Sequence, residues 1–93
     1  MQNGKAVDAF RREVVEHLAN LRQQKGMSQT AFARELGTEQ SIISKVESFN
    51  RELGLHETFA WGEALGLSPT ETADLLAAAW TKHCARRKGF WES

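Results

Sequence analysis

Ser28-Gln29-Thr30-Ala31-Phe32-Ala33-Arg34-Glu35-Leu36-Gly37 runs directly into Thr38-Glu39-Gln40-Ser41-Ile42-Ile43-Ser44-Lys45-Val46-Glu47, and the punctuation of this stretch decides the fold. Ser28 is a good N-cap, because its hydroxyl accepts a free backbone N–H of the first turn. A short helix over Gln29 to Leu36 follows, with Phe32, Ala33 and Leu36 inward. Gly37 closes it, since glycine adopts the left-handed conformation of a helix end without steric cost. Thr38 then reads as the N-cap of another helix, roughly Glu39 to Glu47. With one glycine and one cap between them, the two helices must turn sharply. Ile43 and Val46 face a core, whereas Glu39, Gln40, Ser41, Ser44 and Lys45 leave a polar outer face of short donors and acceptors.

Upstream, Val7, Phe10, Val14, Leu18 and Leu21 recur every three or four residues, which predicts an amphipathic helix from about Val7 to Gln24 that Gly26 ends. Downstream, Ser48-Phe49-Asn50-Arg51-Glu52-Leu53-Gly54 is an irregular connection. A fourth helix is expected over His56 to Leu65, with Leu55, Phe59 and Leu65 inward and Gly66 as its stop. Ser68-Pro69-Thr70-Glu71 combines an N-cap serine, a proline at the first helical position and a glutamate two residues further on, which is a capping box. It launches a fifth helix to about Lys88, with Leu75, Leu76, Ala79 and Trp80 apolar. The basic run Lys82 to Lys88 complements the helix dipole there, Gly89 ends the helix, and Phe90 and Trp91 form a tail. The expected fold class is all-α, in one domain over residues 1–93, with a core at about 10–68 and an extended C-terminal helix at about 69–88.

Composition sets the outer limits. Ninety-three residues suit one small domain, and 41% hydrophobic with 26% charged residues is an ordinary globular balance. The abundance of Ala, Leu, Glu, Gln and Arg favours helix over strand. One cysteine, Cys84, excludes an intramolecular disulfide and points to a reducing, cytoplasmic setting. Met1 to Lys5 has no apolar leader character, and no run reaches the ~18 apolar residues of a membrane span. The net charge is zero but segregated: residues 1–51 carry eight Lys/Arg against six Asp/Glu, residues 52–81 carry five acids and no Lys/Arg, and the last twelve residues are basic again. A neutral chain so divided can present a basic face to a polyanion and turn an acidic one away.

Two short helices joined by a tight turn form a helix-turn-helix, whose second helix fits a DNA major groove about 12 Å wide. Reading bases requires directional hydrogen-bonding side chains near that helix's N-terminus. Gln bonds adenine bidentately, Lys bonds guanine, and Ser bonds several bases. Gln40, Ser41, Ser44 and Lys45 supply this chemistry on one helical face. Gln29 lies at the N-terminus of the preceding helix, where N–H groups and the dipole favour a phosphate.

The string from Ser28 to Gly37 followed by Gln40 to Glu47 resembles the XRE family of phage-repressor and Cro-type helix-turn-helix proteins. Ala64-Leu65-Gly66-Leu67-Ser68-Pro69 is similar to the end of that domain's fourth helix, so the resemblance covers about Leu18 to Pro69. Leu53, Leu55, Trp61, Ala64 and Leu65 are similar to a subgroup with a leucine-rich connection and a tryptophan in the fourth helix. The resemblance implies a five-helix, lambda-repressor-like domain, usually dimeric, that binds double-stranded DNA and regulates transcription. It implies that Gln29 clamps phosphate and buttresses Gln40, and that Gln40, Ser41 and Lys45 meet base edges. It also implies a structural ion pair between Arg22 and Glu47. Thr38, Glu39, Ser44 and Arg51 complete the expected DNA-facing set. The family usually has Arg-Gly or Asn-Gly after the glutamate at Glu47, whereas this chain has Ser48-Phe49. Either Asn50 adopts the left-handed conformation in place of the missing glycine, or the loop is remodelled.

Several residues admit two readings. Ile42 suits either a thymine methyl or packing beside the turn, and Arg34 and Lys25 suit either phosphate or a solvated surface. Leu75, Leu76, Ala79 and Trp80 exceed what a small core absorbs, which makes the fifth helix the expected homodimer contact. His17, His56, His83 and Cys84 lack metal-ligand spacing, and no residues form a nucleophile-and-oxyanion arrangement, so neither a metal, a cofactor nor an enzyme is expected. The leading reading is a dimeric repressor on a near-palindromic operator, associated with the nucleoid. The alternative is an antitoxin or adaptor whose helix-turn-helix grips a protein partner, which the acidic segment 52–81 favours.

Overall fold

The computed structural model describes residues 4–85. Five helices follow one another: α1 (Gly4–Gln24), α2 (Gln29–Leu36), α3 (Gln40–Glu47), α4 (Leu55–Ala64) and α5 (Pro69–His83), with no strand among the described residues. No helix among them is long and apolar enough to cross a membrane.

The predicted local signals act as expected at α2 and α5. Ser28 Oγ accepts the Ala31 N–H at 3.0 Å, and Ser68 Oγ accepts the Glu71 N–H at 3.0 Å while Glu71 returns a bond to the Ser68 N–H at 2.8 Å. Gly37, at φ 71°, ends α2. At the next junction the cap lies one residue further on than Thr38. The Thr38 N–H is drawn back to the Ala33 carbonyl at 2.9 Å in closing α2, so Glu39 becomes the extended residue before α3 and accepts the Ile42 N–H. The helix therefore opens at Gln40, and Glu39 caps it without a side-chain bond.

The core forms where α1, α2, α3, α4 and α5 converge. Leu18, Phe32, Ile43, Val46 and Leu65 are fully enclosed, and Trp61 stands edge-on to Phe32 with centroids 5.0 Å apart. α1 packs on α5 and α3, and α2 on α3 and α4, which locks the helix pair α2–α3 from behind and, among the described residues, leaves its outer side uncovered. α4 and α5 approach closely at Gly62, where an added Cβ would lie 2.1 Å from Thr72 Oγ1. That threonine is wholly buried and its hydroxyl has no hydrogen-bond partner.

Four further expectations are corrected. Leu55 is not inward: it is the first residue of α4 and is 77% exposed, because the apolar side of that helix is formed by Thr58, Trp61, Gly62 and Leu65. Ala79 is no interface residue, since it is fully buried within the monomer beneath α1. Leu75 and Leu76 are half-buried against the same core, and Trp80, 38% exposed, stacks edge-on to Phe10 at 5.4 Å. α5 stops at His83 rather than near Lys88. Cys84 leaves helical geometry at φ −128°, with its buried thiol turned onto the Ala6 carbonyl at 3.2 Å. Arg86 to Trp91, including the Gly89 stop, lie outside the described residues.

The fourth correction concerns the connection after α3. The left-handed residue is Phe49, at φ 64°, and not Asn50. The Phe49 N–H bonds the Val46 carbonyl at 3.0 Å and the Asn50 N–H bonds the Lys45 carbonyl at 2.8 Å, the paired bonds of a Schellman closure. Phe49 thus occupies the position that glycine usually fills. Its ring packs on the core and under the Arg12 guanidinium, 4.3 Å from the ring centroid, and these contacts offset the left-handed backbone.

Candidate nucleic-acid interface

The exposed side of α2 and α3 is organised from the inside outward. Arg22, near the end of α1, and Glu47, at the end of α3, form an ion pair whose side chains are 8% and 10% exposed. Arg22 Nε donates to Glu47 Oε2 at 2.7 Å and Nη2 donates to Oε1 at 2.9 Å, while Nη1 reaches the Met27 carbonyl. The bidentate geometry fixes the rotation of α3 against α1 as well as holding it. Such burial gives orientation more than net stability.

Glu47 carries this order to the surface. Its Oε1 also accepts from Gln29 Nε2 at 2.9 Å, and Gln29 Oε1 accepts from Gln40 Nε2 at 2.7 Å. A carboxylate only accepts, so Gln29 must turn its nitrogen inward and its oxygen toward Gln40. Gln40 is then the donor, which leaves its own oxygen and its second N–H to face out. One acceptor beside one donor is the pattern that pairs with the N6 and N7 edge of adenine in the major groove. A chain of four side chains from three helices therefore ends in one oriented amide on an exposed turn.

The other sequence-predicted residues surround it. Ser41, Lys45, Thr38 and Glu39 are exposed, Gln29 and Ser44 are half-buried, and Ile42 is half-buried beside the turn. Gln40, Ser41, Ser44 and Lys45 share the outward side of α3, because Ile43 and Val46 commit its other side to the core. Glu39 places an acid beside this surface, favourable to the helix N-terminus and repulsive to a phosphate.

Arg51 is differently occupied. Its Nη2 lies 3.0 Å from Glu57 Oε2, and Nη1 bonds Glu57 Oε1 and the Glu52 carbonyl at 3.2 and 3.1 Å. Glu57 in turn accepts the Gly54 N–H at 2.8 Å and so caps α4. The Arg51 hydrogen bonds foremost, and the Gly54 N–H next, hold the Glu57 carboxyl below its ordinary range. A phosphate contact by Arg51 requires this pair to open. Phe49 and Arg12 do not stand out in the sequence, although the absence of glycine after Ser48 signals that something else stabilises that turn.

Away from this face, Glu13 joins α1 to the end of α5 through His83 at 2.8 Å and Lys82 at 3.1 Å, and those bonds, His83 first, lower its pKa. The Cys84 thiol is pushed up by burial. Among the described residues no three His, Cys, Asp or Glu side chains are grouped to hold a metal.

A helix-turn-helix family model matches residues 18–72, which includes α2, α3, α4 and most of the apolar core. No curated protein and no solved structure matches the chain. The matched region is the XRE-type, phage-repressor-like domain, a DNA-binding domain of transcription regulators, and its five-helix all-α form is the one observed. The chain belongs to the XRE-type helix-turn-helix family.

Proposed function

We propose that this chain is a sequence-specific repressor that binds a near-palindromic operator as a homodimer in the cytoplasm. Gln40, Ser41 and Lys45 meet base edges, with Gln40 reading adenine through its outward oxygen and N–H. Ser44 and Thr38 border the same groove, Glu39 selects against misplaced phosphates, and Gln29 joins the phosphate strand at the N-terminus of α2. The observation that carries this reading is the hydrogen-bond chain Arg22–Glu47–Gln29–Gln40, which orients an exposed amide from a buried ion pair. A merely solvated polar face has no need of such an anchor.

The dimer contact in this reading is the apolar strip of Trp80, Leu55 and the exposed edge of Leu76, not the enclosed Ala79. A two-fold axis there sets two copies of α3 in successive major grooves, about 34 Å apart, and occupancy blocks polymerase. Selection of bound duplexes from a random pool tests the whole reading. A logo with two inverted half-sites, each with adenine at a fixed place, supports it, and a pool that never enriches refutes it.

A further inference from the structure

The turn after α3 holds a cation whose role the α2–α3 face does not explain. Three arginines line the groove between the N-terminal half of α1 and the 48–54 connection: Arg11, Arg12 and Arg51. Two are neutralised. Arg11 bonds Asp8 at 2.8 Å and Glu52 at 3.0 Å, and Arg51 bonds Glu57. Arg12 is exposed and, among the described residues, has no carboxylate partner. Its guanidinium instead lies 4.3 Å from the centroid of Phe49, the left-handed residue that closes α3.

Stacking on a ring has a chemical consequence. Attraction to the ring face holds the guanidinium in place without engaging its N–H groups with a carboxylate, so they stay free to bond. A pre-ordered guanidinium of this kind, with no carboxylate at ion-pair distance among the described residues, matches a phosphodiester, which accepts two parallel N–H bonds. The location is also defined, because Phe49 is the second residue past α3. When a recognition helix lies in the major groove, its far end and the following loop approach the sugar–phosphate strand. Arg12 itself comes from residues 4–17 of α1, outside the matched family region 18–72.

Resting on the DNA-binding reading above, we infer that Arg12, stacked on Phe49, is a backbone-phosphate contact of this chain. The ring acts as its positioning residue. Phe49 gives up a glycine's conformational ease at this turn, and in exchange a guanidinium from α1 is set beside the end of α3. The contact is to the backbone, so it adds affinity without sequence preference.

The test uses the full chain and a duplex selected by that chain, with affinity measured by fluorescence anisotropy from 50 to 200 mM salt. Arg12→Gln should lower the slope of log affinity against log salt by about 0.9, the value of one phosphate contact. It should weaken selected and scrambled duplexes by the same factor, with a thermal midpoint lowered only by the lost contact to the Phe49 ring. Arg12→Lys should restore the slope while recovering only part of the affinity. Phe49→Leu, which keeps an apolar side chain but no ring face, should weaken binding at all salts. An Arg12→Gln chain with the wild-type slope overturns the inference while leaving the DNA-binding reading intact. A wild-type chain without affinity for any duplex overturns both, and a loss confined to the selected sequence would make Arg12 a base reader instead.

Discussion

Removing the charge of Glu47 separates what the buried pair does for the fold from what it does for the surface. Glu47 accepts three hydrogen bonds, two from Arg22 and one from Gln29, at 2.7 to 2.9 Å, with its side chain 10% exposed. Glu47→Gln keeps the shape but leaves the Arg22 guanidinium buried without a counter-charge, a loss of about 3–5 kcal/mol. A domain of this size has a total stability of only about 5–14 kcal/mol. The variant should therefore lose about a fifth or more of its urea resistance, read as a shift of the midpoint in the fluorescence of the buried Trp61 with little change in slope. Arg22→Met combined with Glu47→Leu replaces the pair by apolar side chains of similar volume. It should recover most of the midpoint, because the unpaired charge is gone. The double variant nevertheless lacks the carboxylate that orients Gln29, so it should fold well and discriminate operator from scrambled DNA poorly. A Glu47→Gln cost under about 1 kcal/mol would refute the reasoning on stability. Full operator preference in a folded double variant would refute the relay to Gln40.

Three other perturbations follow from the packing. Gly62→Ala should cost about 1–3 kcal/mol by driving a methyl group into Thr72, and Thr72→Ala, which removes a buried hydroxyl with no partner, should relieve most of it; strict additivity in denaturant melts would deny the close approach. Phe49→Ala and Phe49→Gly both delete the ring, but only alanine still meets the steric cost of φ 64°, so the glycine variant should be the more stable by about 1 kcal/mol. The reverse order in urea titrations would mean that the left-handed turn is not populated. Glu57 has its carboxyl lowered from an ordinary value of 4.5 by Arg51 and then by the Gly54 N–H. Its contribution is thus complete above about pH 5 and fades as pH falls through the depressed value. Glu57→Gln should lower the thermal midpoint at pH 7, and the difference from wild type should shrink as the pH falls through the depressed value; a difference that stays constant over the whole acid range would remove the charge from the explanation.

The parts of the fold that were legible in the sequence are those governed by neighbours in the chain. Ser28, Gly37 and the Ser68–Glu71 box act within one helical turn, so residue type alone carries them. Thr38 has the residue type of a cap, but the closing bond of α2, from its N–H to the Ala33 carbonyl, draws it into the preceding helix. Phe49 was hidden for a different reason. Its left-handed backbone is tolerated through contacts with the core and with Arg12, thirty-seven positions earlier, which no local rule contains. Leu55 looked inward because it is apolar, yet the helix phase fixed by Trp61 and Leu65 turns it to solvent. In the candidate site, the outward amide, hydroxyl and ammonium groups of α3 followed from Ile43 and Val46 facing the core. The Gln29–Gln40 buttress and the Arg22–Glu47 pair came from family resemblance, and the structure supplies their hydrogen bonds. The Arg51–Glu57 pair was not visible, because it depends on how the irregular connection folds back on α4.

The most direct measurement is the base preference of Gln40 on duplexes selected by the wild-type chain. Gln40→Ala should bind the selected and the adenine-substituted duplexes almost equally, with a loss of about 1–3 kcal/mol confined to the selected one and a wild-type salt slope. Retention of the full wild-type preference by a folded Gln40→Ala chain would contradict the oriented amide as the reading group.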